Sequence, residues 1–156
     1  MKPETTEWID KAEGDWSVAQ REMRTANPDW NVVSFLAQQC AEKYLKAFLE
    51  EHNIAFGRIH DLVVLLNSTG GRLPELNSQK QSLAHLSTFG IATRYPGAQA
   101  DRPAAEDSMK TAESVRTVVR RSSNFHEHNR EEAIGSLLKN LSRCAGIAAN
   151  AVRIGD

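Results

Sequence analysis

Several stretches of the chain carry residue types that could do chemistry. In "FLAQQCAEKYLKAFLEEHNIAFGRIHDL", residues 35–62, Gln39, Lys43 and Lys46 fall on one face of a helix. Lysine ammonium groups suit phosphate as point charges. The competing reading is a solvated face, because Glu42 and Glu50 share it and cancel most of the local field. Gln38 lies at the border of that face, and both glutamines read as surface residues. The same stretch closes on His60-Asp61. Asp61 before "LVVLL" is a good helix N-cap, worth about 1 kcal/mol. An imidazole at a helix start would suit an anion or a ribose, and the plainer alternative is a packed histidine beside a cap. Arg94-Tyr95 precede Pro96, where Arg94 could stabilise a helix C-terminus against its dipole. Arg121 and His126 are separated by four residues. A histidine can accept a 2′-hydroxyl proton or protonate a leaving oxygen, and an arginine can stabilise charge growing on a phosphorane. His126 and His128 lie on different sides of any helix, and no Cys or His cluster has zinc spacing, so neither a metal nor another cofactor is expected.

The elements that must position these groups are helical. At 156 residues the chain has room for one domain with a substantial core. Its formal charge of −1 gives no global pull toward nucleic acid or an anionic membrane. The longest apolar runs, such as "DLVVLL", are too short to span a bilayer. The charged N-terminal stretch has no apolar signal core, so a cytoplasmic setting is expected. Cys40 and Cys144 do not make a disulfide framework.

Apolar residues recur at helical spacing almost throughout. A first helix is expected over about residues 5–25, capped by Thr5 or Thr6, and a second over about 30–52, with Asp29 or Asn31 as cap. The second has a broad apolar half, yet Phe35 and Leu49 fall on its polar half. It should therefore meet something on both sides, either further helices or a second subunit. A third helix runs from residue 60 or 61 to about 67, ended by "STGG", where Gly70 or Gly71 can take positive φ. A fourth covers about 74–93 and stops at "RYPG". A fifth covers about 104–121, and after "SSNFHEHN" a last amphipathic helix covers about 130–152. The reading is all-α: an up-and-down bundle of four to five helices over residues 4–121, then a connecting turn and C-terminal helix over 122–156.

Four blocks in order, "WIDKAEGDWSVAQ", "FLAQQCAEKYLKAFLEEHNI", "IHDLVVLL" and "TRYPG", resemble the HEPN family (higher eukaryotes and prokaryotes nucleotide-binding domain). The resemblance spans about residues 4–121. It implies a helical bundle that usually dimerises and is often encoded beside a small nucleotidyltransferase, some such pairs acting as toxin and antitoxin. Catalytic members are metal-independent ribonucleases with an Arg-x4-6-His motif paired across the dimer. Other members lack that motif and bind nucleotides or act as non-catalytic partners.

On that resemblance, Gln39, Lys43, His60, Arg94 and Tyr95 are the candidate nucleotide-binding residues, and Arg121 with His126 the candidate catalytic pair. The Arg-His spacing is cheap: with 12 arginines and 5 histidines, about one match is expected by chance. Ser122 follows Arg121 where active members usually carry Asn, Asp or His, and His128 stands where some toxins carry tyrosine. No nucleotidyltransferase pattern, a Gly-Ser followed by paired aspartates, is present, so transfer chemistry would belong to a partner. The leading expectation is a nucleotide-binding or accessory homodimer, with a ribonuclease toxin and a purely structural dimerisation module as alternatives.

Overall fold

The computed structural model describes residues 1–92, 97 and 99–122. The described residues form an all-α bundle: α1 (Pro3–Glu22), α2 (Trp30–Glu51), α3 (Leu62–Ser68), a 3-10 turn (Pro74–Gln79), α4 (Lys80–Ala92) and α5 (Arg102–Arg121), with no strand among them. The chain divides into two units, Met1–Ser122 and Ser123–Asp156. The C-terminal helix expected over about 130–152 lies outside the described residues, as do Arg94, Tyr95, His126 and His128.

Local sequence explains where the helices begin. Asp29 caps α2 by accepting from the Asn31 and Val32 amides at 3.0 and 3.2 Å. Asp61 does the same for α3, accepting from Val63 and Val64 at 2.8 and 3.0 Å. Asp101 accepts from the Ala104 amide at 2.9 Å and starts α5 at Arg102, two residues earlier than the periodicity predicts. Such side-chain acceptors satisfy amides that the first turn leaves orphaned. The α1 start differs from expectation. Its cap is Lys2, which makes no side-chain cap bond, and Thr5 is buried within the first turn instead. Pro3 sets the helical φ at that start without needing an amide partner. α1 also ends at Glu22 rather than near 25. The segment expected as one fourth helix is split, because Asn77 and Ser78 are weak helix formers and Pro74–Gln79 closes into a 3-10 turn. Gly70 and Gly71 both take positive φ, at 63° and 76°, and turn the chain out of α3.

α2 is the centre of the bundle. It touches α1, α5, α4 and α3. Val33, Ala37, Cys40, Ala41, Tyr44, Leu45, Ala47, Phe48 and Leu49 are buried on it. Leu49 is fully buried inside the single chain, so it no longer argues for a second subunit. The same enclosure reaches its polar residues. Gln38, Glu42 and Lys46, expected at the border or on the solvent side, are all buried. Ile91 on α4 is exposed.

Candidate functional site

Five polar residues of α2, Gln38, Gln39, Glu42, Lys43 and Lys46, form one hydrogen-bonded chain. Glu42 is its hub. Its Oε1 accepts from Lys46 Nζ at 2.7 Å and from His60 Nδ1 at 3.0 Å, and its Oε2 accepts from Gln38 Nε2 at 2.9 Å. Gln38 also donates to the His60 carbonyl at 3.3 Å, and its Oε1 accepts from Gln39 Nε2 at 2.7 Å. Gln39 Oε1 in turn accepts from Lys43 Nζ at 3.3 Å, and Lys43 donates to Asp15 on α1. The spacing of Gln38, Glu42 and Lys46, and of Gln39 and Lys43, is one helical turn, which stacks their side chains on one flank. The buried Gln38 amide is satisfied on both its nitrogen and its oxygen, as burial of a polar group requires.

Packing holds this chain in place. A Cβ at Gly90 of α4 would lie 2.9 Å from Gln38 Cδ, so any larger residue there must displace the Gln38 amide from its hydrogen bonds. The Lys46 ammonium sits 5.4 Å from the Trp8 ring centre and 6.0 Å from that of Phe56, which meet edge to face. Cation–π attraction supplements its ion pair with Glu42. The loop carrying His60 is anchored by the Asp61 cap and by the Leu62 amide, which donates to Ser87 Oγ of α4 at 2.9 Å.

Electrostatics define the states of these groups. Burial pushes the Glu42 carboxyl up, but hydrogen bonds from Lys46 and Gln38, then the charge of Lys46, outweigh it and hold its pKa below the ordinary carboxylate value. Glu42 and Lys46 have side chains only 5% and 7% exposed. The His60 ring, by contrast, is 63% exposed. The network therefore begins in the core and surfaces at an imidazole.

A second polar cluster joins α1, α2 and α5. Arg116 grips Glu13 with two bonds, Nε to Oε1 at 2.6 Å and Nη2 to Oε2 at 2.9 Å. Arg120 reaches Glu13 at 3.0 Å, and the Tyr44 hydroxyl donates to the same carboxylate. Burial raises the Glu13 pKa, yet Arg116 and Tyr44 hydrogen bonds leave it lowered overall. Burial, and then the Glu13 hydrogen bond and charge, push the Tyr44 phenol well above its usual range. The buried Cys40 thiol is likewise pushed far up, first by burial and then by the Glu13 charge, and is no nucleophile.

Of the residues singled out from sequence, Gln39, Lys43 and His60 are brought into one network. Lys43 arrives with its charge already met by Asp15, so a phosphate would have to compete for it. Arg121 is the last residue of α5 and is exposed. A groove of about 480 Å³ between α4 and α5, lined by Gln79, Ser82, His85, Asp107, Lys110 and Thr111, includes none of the candidate residues. Among the described residues no group of His, Cys, Asp and Glu could hold a metal ion.

Sequence reasoning missed Gln38, Glu42 and Lys46 as buried hydrogen-bonding residues, and Glu13 with Arg116 altogether. A signal for the first set existed. Phe35 and Leu49 sit among the polar positions of α2, and a helix with apolar residues around its circumference is an enclosed one.

An all-α bundle with a polar network sealed along its central helix is the class defined by these contacts. The family model for the HEPN domain matches residues 5–122, and the chain belongs to the HEPN family. No curated protein and no solved structure matches it. Among the described residues no helix is long and apolar enough to cross a membrane.

Proposed function

We propose that this chain is a non-catalytic nucleotide-binding HEPN module, homodimeric and cytoplasmic, that serves a separately encoded nucleotidyltransferase. A toxin–antitoxin pair is one setting for such a partnership. The observation that carries the reading is that Gln39, Lys43 and His60 lie in one hydrogen-bonded network that surfaces at the His60 ring. Fully satisfied buried networks hold their exposed members in fixed geometry, which lowers the ordering cost of binding. Titration of the protein with ATP and AMP by calorimetry tests this. Binding that His60→Ala and Lys43→Ala both weaken supports it. No heat and no displacement at millimolar nucleotide, on the order of the weakest useful affinity, contradicts it.

A second reading is a metal-independent ribonuclease using Arg121 and His126. It is favoured by one observation: Arg121 is exposed at the end of α5, next to Arg120, which Glu13 holds. Total RNA incubated in EDTA with wild type and with an Arg121→Ala/His126→Ala variant decides it. Cleavage lost in the variant promotes the ribonuclease, and intact RNA in both removes it.

A further inference from the structure

The contact between Glu42 and His60 fixes more than the position of the ring. Glu42 is buried, receives Lys46 and Gln38, and is held ionised, so its oxygens can only accept. Its bond to His60 Nδ1 at 3.0 Å therefore needs the proton on Nδ1. In the neutral imidazole that leaves Nε2 without a proton, and a ring this exposed leaves it open to a ligand. The His60 backbone is held as well, with its carbonyl bonded to Gln38 and the following Asp61 capping α3. A free imidazole has no such constraint.

We propose that His60 is a tautomer-locked hydrogen-bond acceptor, positioned by Glu42, and that its Nε2 takes a neutral donor of a nucleoside, a ribose hydroxyl or an exocyclic amine, rather than a phosphate oxygen. The ligand class rests on the nucleotide-binding reading above, and the tautomer does not. At about pH 8 a nucleotide's phosphate is fully ionised and has no proton to offer an unprotonated Nε2, whereas a hydroxyl or amine does. Glu42 is a positioning residue here, since it touches the ring and not the ligand.

Ring ¹⁵N resonances of His60 in the full chain, recorded at about pH 8 where an ordinary imidazole is neutral, read the tautomer directly. The expected result is a protonated Nδ1 and a bare Nε2. A protonated Nε2 with a bare Nδ1 overturns the proposal, whatever the protein binds. Glu42→Gln, if it folds, should release the lock and move both resonances, and wild type alone decides if it does not. The ligand half is read by titrating adenosine, 2′-deoxyadenosine, 3′-deoxyadenosine, inosine and inorganic phosphate while following Nε2. Adenosine should move it, and His60→Ala should weaken adenosine about five- to tenfold, as loss of one hydrogen bond does. Loss of the effect in a deoxy analogue assigns the hydroxyl, and its loss in inosine assigns the amine. A shift with phosphate and none with nucleosides overturns the ligand class. If nucleosides bind at Gln39 and Lys43 and leave Nε2 unmoved, the His60 assignment falls while the nucleotide-binding reading stands. If no nucleoside binds anywhere, both the nucleotide-binding reading and this ligand class fail, and the tautomer result reports separately.

Discussion

Replacing Glu42 by glutamine removes one charge from the centre of α2 and keeps the shape. The carboxylate accepts from three donors, Lys46, Gln38 and His60. A glutamine has one oxygen and one amino group, so whichever way it turns at least one of those donors faces another donor. Lys46, with a side chain 7% exposed, also loses its only described carboxylate partner. Breaking a buried pair by removing one partner costs about 3–5 kcal/mol. Lys46 lies against Trp8 and Phe56, which retain some attraction for it, so the low end, about 3 kcal/mol, applies. With a urea slope of about 1.5 kcal/mol/M, the unfolding midpoint should fall by about 2 M. The folded-state carboxyl is held below its ordinary value, so its contribution is present above the unfolded pKa and is lost as pH falls through the folded one. The gap between wild type and Glu42→Gln should thus be full at neutral pH and close as the pH drops below about 4. A Glu42→Gln/Lys46→Met double variant, which removes the stranded ammonium, should recover part of the loss. A midpoint change under about 0.5 M, or a gap that does not narrow in acid, would refute the buried pair as the hub of the network.

Three further outcomes follow from the same contacts. Gly90→Ala places a Cβ 2.9 Å from Gln38 Cδ, and should cost about 1–3 kcal/mol in thermal or urea unfolding while shifting the Gln38 side-chain amide resonances. Glu13→Gln strips the carboxylate that joins Arg116, Arg120 and Tyr44. Glu13 and the two arginines are about a quarter to a third exposed, so a loss of about 1–2 kcal/mol at neutral pH is expected. Because the Glu13 pKa is lowered in the folded chain, that loss too should shrink in acid, and urea titrations at two pH values check it. Asp61→Ala removes the α3 cap and should cost about 1 kcal/mol, with faster amide exchange at Val63 and Val64.

Much of the fold was legible in the sequence because its punctuation is local. Asp61 caps the helix it was expected to cap, Asp29 is one of the two caps expected for α2, and "STGG" ends α3 with two glycines at positive φ. Those residues act on backbone groups two or three positions away, which a sequence exposes. The interior of α2 was less legible. A helical wheel sends Glu42 and Lys46 to water, and it holds only for a helix with one side in water. α2 is wrapped by four other helices, and the cost of burying its charges is offset by partners that lie far off in sequence, His60 and the Trp8–Phe56 pair among them. Glu13 and Arg116 are 103 positions apart, beyond any spacing rule. Gln39, Lys43 and His60 were reachable through resemblance. The Asp15 that neutralises Lys43 was not, since nothing in α1 marks it out from its neighbouring acids.

The measurement that tests the central claim most directly is an NMR titration of the isotope-labelled full chain with ATP, AMP and adenosine. The account predicts saturable shifts at Gln39, Lys43 and His60, diminished in His60→Ala, with Glu13, Arg116 and the α4–α5 groove unmoved. Saturable shifts confined to that groove, or none at about millimolar nucleotide, would contradict it.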